Sequence, residues 1–270
     1  MKHSAHHAKR AAGISLLVGL MAVASVATAH TPYLVPNAFE PINGGLITLD
    51  ASFAERFFVP EIVFNNSQFE VRLPDGSVAK PDTVIPIQSR IIVEHDMVEE
   101  GTYRFSTGRR LGRVFRTYEL KGERFGLEDA SEPLPEGAIL VDHYQSNTIA
   151  ETYVTRGGPS DKALEPRQDG LEFAALTHPN DLFVGESLDL QALYYGKPLP
   201  GLTVEVFQAS RQFGDDHPVV TITSGGDGEM SFTPEEQGIY LLRSRHRDYA
   251  PEGSAAPEFS HTYTLVVEAF

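Results

Sequence analysis

From residue 45 onward, apolar and polar residues alternate in short runs with a period of two, as expected of strands that bury one face. Strands are predicted over 45–54, 68–73, 89–95, 101–107, 113–120, 138–145 and 149–155. A second series follows over 171–176, 186–194, 202–208, 218–223, 229–232, 238–246 and 260–268. The run from Leu202 to Phe207, read L-T-V-E-V-F, shows the pattern at its clearest. Turn signals separate the runs, among them Pro74-Asp75-Gly76, Gly157-Gly158-Pro159 and the Gly225–Gly228 cluster. No stretch carries a sustained helical period, and 121–137, polar with Gly and Pro, reads as loop. Many short strands with regular turn signals predict an all-β protein of two Ig-like antiparallel β-sandwich domains.

A weak internal repeat supports two copies of one architecture. Glu99-Glu100-Gly101-Thr102-Tyr103 resembles Glu235-Glu236-Gln237-Gly238-Ile239-Tyr240. Each Gly-x-Tyr opens a late strand, where a tyrosine corner places a phenol against upstream backbone, so Tyr103 and Tyr240 are read as structural. Between Arg156 and Gln168 the apolar period disappears and Gly, Pro and charge take over. The border is expected near 156–170, giving an N-terminal sandwich over 30–160 and a C-terminal one over 161–270.

The first 29 residues do not belong to either sandwich. Lys2, Lys9 and Arg10 precede an uncharged apolar or small run over 11–26, and Ala27-Thr28-Ala29 then supplies a small-x-small cleavage site. That order is a secretory signal peptide. The run is shorter than the ~20 residues that span a bilayer. The mature chain is therefore expected to start at His30, outside the cytoplasm, in the periplasm, and not to be membrane-embedded.

Charge narrows the partners. The net charge of −15 becomes −18 once Lys2, Lys9 and Arg10 leave with the signal. Such a surface repels nucleic acid. The chain has no Cys, so burial alone must hold it together outside the cell, with 10 Tyr and 16 Phe but no Trp to build the cores.

The start Ala29-His30, the Pro32–Pro41 segment, Glu151–Gly157, Gly196-Lys197-Pro198-Leu199, Asp227-Gly228, Gly238-Ile239-Tyr240 and Arg245-His246 occur in a recognisable order. In that order the chain resembles a domain-of-unknown-function family of periplasmic proteins, once labelled a nickel-uptake transporter component (NikM-like). The resemblance covers nearly the whole mature chain. Tyr33 departs from it, standing where many relatives have Trp. The resemblance implies periplasmic metal uptake or metal binding, with a membrane transporter or outer-membrane receptor as partner.

Common catalytic motifs are missing: there is no Gly-x-Ser-x-Gly elbow, no P-loop and no dinucleotide fingerprint after a strand. An enzyme of those classes is not expected. Among the histidines, His30 is the most informative. Cleavage after Ala29 would free its α-amine beside its imidazole, and two such nitrogens can chelate Ni, Cu or Zn. His246 and His261 fall on the core-facing parity of the last two strands and are expected to converge beside the loop 247–259, with Asp248 as an oxygen donor or orienting group. His95 and His143 have carboxylates next to them in sequence, which a strand sends to the opposite face. His217 reads as solvated loop and His178, before Pro179, as a turn residue. Arg104, Arg109, Arg110, Arg113 and Arg116 form a basic run that either pairs with acidic side chains or recognises a carboxylate-bearing ligand.

The expected function is periplasmic binding of a transition metal or metal complex for uptake, through His30, His246 and His261. One alternative is a metal-free accessory or adhesion module acting by protein contact. Another is a copper oxidoreductase using the His30 chelate.

Overall fold

The computed structural model describes residues 30–42, 44–127, 129–209 and 217–270. The leader expected over 1–29 lies outside the described residues. In chain order the strands are β1 (Thr31–Pro36), β2 (Leu46–Ala54), β3 (Glu70–Arg72), β4 (Val78–Ala79), β5 (Thr83–Pro86), β6 (Ile91–Asp96), β7 (Gly101–Ser106), β8 (Arg110–Leu120), β9 (Glu123–Gly126) and β10 (Ile139–Arg156). After a single 3-10 turn at Lys162–Leu164 come β11 (Leu171–Ala175), β12 (Leu188–Tyr194), β13 (Lys197–Pro198), β14 (Thr203–Gln208), β15 (Val220–Thr223), β16 (Glu229–Phe232), β17 (Gly238–Tyr249) and β18 (Glu258–Ala269). Among the described residues there is no α-helix, and none long and apolar enough to cross a membrane.

The fold is all-β and Ig-like. A sheet ordered β1-β2-β6-β5 faces β7, β3 and the second half of β10 across the first core, built on Leu34, Ile47, Leu49, Val71, Val93, Phe105, Ala150 and Val154. The sheet of β11, β12, β13 and β16 faces β14, β17, β18 and β10 across the second core, built on Phe173, Leu190, Val204, Leu242, Tyr263 and Leu265. Both tyrosine corners form: Tyr103 Oη donates to Glu99 O at 2.9 Å and Tyr240 Oη to Glu236 O at 2.7 Å. Gly101 (φ 135°) and Gly238 (φ 143°) open their strands in a backbone region that side chains disfavour, and a Cβ on Gly101 would meet Pro74 at 2.6 Å.

Two features depart most from the expected strand pattern. Residues 138–145 and 149–155 are parts of one 18-residue strand, β10. Its even positions Ala150 and Val154 enter the first core and its odd positions Ile149 and Tyr153 enter the second. Both faces are thus buried, which erases the apolar alternation a one-sided strand would show. β10 also pairs in parallel with β18, from Tyr144↔Glu258 to Thr152↔Val266, whereas every other pairing is antiparallel. The border expected at 160/161 falls in the connection after β10, so the N-terminal segment contributes a strand to the second core.

The other departure is β1. It carries Pro32 and Pro36 and lies at a sheet edge, where a missing amide donor is tolerated. Its Tyr33, with Phe39 after it and Ala54 at the end of β2, packs on the back of the C-terminal sheet against Phe207, Leu241 and Val266. Thr264 Oγ1 donates to Pro32 O at 3.0 Å and Arg243 Nη1 to Thr31 Oγ1 at 2.6 Å. Residues 123–126, expected as loop, form β9 as a short edge beside β8.

Candidate functional site

The residues expected to bind metal separate into two groups. The β1–β2 register pairs Thr31 with Ala54, so His30 falls opposite Glu55. A bridge between Phe53 and Ile62, reinforced by Glu61 N donating to Phe53 O at 3.1 Å, brings Glu61 to the same place. His30 Nε2 lies 2.9 Å from Glu61 Oε2 and 3.9 Å from Glu55 Oε1. Among the described residues this is the one group of three imidazole and carboxylate side chains whose ligand atoms all lie within 4.8 Å of one another. His30 was legible in the sequence; its two carboxylates were not, because they are 25 and 31 positions away and only the strand register unites them with it.

His246 and His261 lie elsewhere. They face each other directly across β17–β18, and the ladder continues three pairs further, to Tyr249↔Glu258. They therefore sit within the sheet rather than at the mouth of a loop, because both strands run past the ends expected at 246 and 260. They share the parity of Leu242, Tyr263 and Leu265, which face the second core. β1 covers the other face of the same two strands through Leu241, Arg243 and Val266. The sheet separates His30 from the histidine pair, and the three do not form one site.

The pair has aromatic and polar company. The Tyr194 ring stands edge-on to both imidazoles, with centroids 4.7 Å from His246 and 5.1 Å from His261, and its hydroxyl lies 3.2 Å from His261 Nε2. Burial, and then the neighbouring Asp248 carboxylate to which it is hydrogen-bonded, push the Tyr194 phenol far up. Burial first, then the charges of His246 and Arg109, lower His261 to about 4. Burial lowers His246 as well, against the pull of Asp248. Both are neutral imidazoles at neutral pH, which is the ligating form.

The remaining histidines have other surroundings. His95 Nδ1 lies 3.0 Å from Asp82 Oδ2, with its ring edge-on to Tyr103 and Phe105. His178 is a structural turn residue: Nε2 is 2.8 Å from Thr102 Oγ1, and Nδ1 accepts from Asn180 N at 3.2 Å. His143 lines a shallow recess of about 200 Å³ with Leu140, Val141, Asp142, Pro257 and Glu258. His217 is exposed.

The arginine run is dispersed and forms no common anion site. Arg110 Nε donates to Asn65 O at 2.5 Å, Arg113 lies over the Phe115 ring, and Arg116 Nη1 donates to Ala130 O and Glu132 O. Arg109 pairs with Asp169 at 3.3 Å. Arg104 is buried beside Glu151, which is also 3.3 Å from Arg167 Nε and accepts from Tyr263 Oη at 2.7 Å. Burial would raise the Glu151 carboxyl, but Arg167 and Arg104 outweigh it and hold it below the ordinary carboxylate range.

A family model described as Domain of unknown function (DUF4198) matches residues 27–248. No curated protein matches. Among solved structures, the D0-D1 domain of intimin is similar at 11% identity, with 88% of this chain and 97% of that chain covered and a TM-score of 0.23. The adhesin InvE of Yersinia pseudotuberculosis is similar at 13% identity over 87% and 58%, with a TM-score of 0.21. The fibronectin(III)-like modules of Clostridium thermocellum CbhA are similar at 12% identity over 87% and 94%, with a TM-score of 0.20.

Proposed function

The chain belongs to the DUF4198 family, and we propose that it is an exported protein that binds a divalent transition metal, as an ion or a small complex, on behalf of a metal-uptake system. The convergence of His30 with Glu55 and Glu61 carries this reading. One imidazole nitrogen and two carboxylate oxygens form a donor set suited to Zn(II), Ni(II) or Cu(II), and without thiolates it does not favour Cu(I). Two carboxylates supply the negative charge that offsets a divalent ion. Signal cleavage after Ala29 adds an α-amine to the same residue, and the half-exposed His30 leaves the group open to an entering ion. Handing metal to a transporter or receptor also requires such an open position.

The test uses mature protein beginning at His30, stripped of metal and titrated calorimetrically with Zn(II), Ni(II) and Cu(II). Wild-type protein is expected to bind at least one of them, and His30→Ala and Glu61→Gln are expected to weaken binding at this site at least tenfold. A version with one residue added before His30 measures the contribution of the amine. If none of the three ions binds more tightly than about 100 μM, the metal reading is wrong and a metal-free module acting by protein contact replaces it.

A further inference from the structure

On the face of the C-terminal sheet turned away from β1, three polar side chains stand in a row across three neighbouring strands. Asn147 of β10 pairs with His261 of β18, and His261 pairs with His246 of β17. In-register partners share a face at adjacent-strand spacing. Further along this face the sheet enters the second core with Ile149, Tyr263 and Leu242, where the buried Glu151 is satisfied by its own partners. Tyr194, from the opposing sheet, closes over the row and touches both imidazoles.

Asn147 is the informative member. It is 1% exposed, and neither its amide nitrogen nor its amide oxygen has a hydrogen-bond partner. A buried amide in this condition is costly, and native proteins nearly always supply a partner. Here it stands beside an imidazole that is itself 3% exposed. A leucine would fill similar space without the penalty, so the amide needs an explanation that packing does not provide.

We propose that His246, His261 and the Asn147 amide oxygen form a second, inner site for one divalent transition metal, with the Tyr194 hydroxyl as a further donor and Asp248 as the group that holds Tyr194 in place. Two imidazoles with oxygen donors select Cu(II), Ni(II) or Zn(II) over Mg(II) or Ca(II). Arg109, which borders the group, is paired with Asp169. The site shares no residue with the His30 group, lies on the opposite face of the sheet and stands independently of it.

The experiment uses mature full-length protein with His30→Ala and Glu61→Gln, so that the outer group is disabled, and titrates it with Cu(II) and Zn(II). One equivalent of at least one ion is expected to remain. His246→Gln should lower that affinity at least tenfold, and Asn147→Leu several-fold with the melting temperature held or raised. Cu(II) electron paramagnetic resonance should show coupling to two imidazole nitrogens, reduced to one in His246→Gln. The inner site is overturned if the doubly substituted protein binds neither ion, or if His246→Gln and Asn147→Leu, both folded by circular dichroism, bind undiminished. Should wild-type binding be unchanged by the His30 and Glu61 substitutions but lost with His246→Gln, the outer site fails and the inner one stands.

Discussion

His261 ties stability to pH. Its folded-state pKa of about 4 lies below the 6.5 of a free imidazole, so between those values the unfolded chain binds more protons than the folded one. Stability from this residue is therefore complete above about pH 6.5 and is lost as pH falls toward 4, by up to ~3 kcal/mol. His246 and His178, both lowered by burial, act in the same direction. Urea midpoints measured from pH 7.5 to 4.5 should fall accordingly, and His261→Gln should flatten the curve. A wild-type midpoint independent of pH would contradict this account. Glu151 is held charged rather than neutral. It is 1% exposed between Arg104 and Arg167, and Glu151→Gln leaves the buried Arg104 guanidinium without its counter-charge and Arg167 with Glu172 alone. Removing one member of a buried ion pair typically costs ~3–5 kcal/mol, and urea denaturation of that variant should read a loss of this size.

The two tyrosine corners can be tested as elements. Tyr240→Phe removes one hydrogen bond to Glu236 O and should cost ~1 kcal/mol. Tyr103 both donates to Glu99 O and accepts from Glu99 N, so Tyr103→Phe should cost more than Tyr240→Phe when both are unfolded in urea. These corners were legible because the Gly-x-Tyr phrase encodes a local geometry, and strands such as β14 because each buries one face. β1 was not legible: its two prolines argue against a strand until an edge position is known. β10 reads as two fragments because the polar run Ser146-Asn147-Thr148 interrupts its apolar positions, and within the second fragment the partners that satisfy Glu151 come from β7, the connection after β10, and β18. The same limit applies to the sites. His30, His246 and His261 could be singled out as residue types, but Glu55 and Glu61 arrive through the β1–β2 register, Asn147 through a parallel pairing, and Tyr194 from the facing sheet. The parity that turned His246 and His261 inward was correct; the sheet that parts them from His30 follows from the packing of β1, which the parity of the last two strands does not reveal.

At the scale of the whole molecule, β10 makes the two sandwiches interdependent. Ile149 and Tyr153 belong to the second core although they precede the connecting segment, and β1 seals the back of β17 and β18. A fragment of residues 161–270 alone lacks one wall of its core and should give neither dispersed amide resonances nor a cooperative melt. One that starts at residue 139 should recover at least part of both. The intact chain should melt in one transition with calorimetric and van't Hoff enthalpies in agreement; two resolved transitions would show that the shared strand does not couple the sandwiches. The parallel pairing of β10 with β18 also governs time. Thr152 bonds Val266 across 114 residues of chain, so the strand central to both cores gains this neighbour only when β18 arrives. Contacts so distant in sequence place refolding in the millisecond-to-second range or slower. Until that closure, the edge of β10 destined for β18 stays open, and during synthesis this interval lasts until the ribosome has released the final strand.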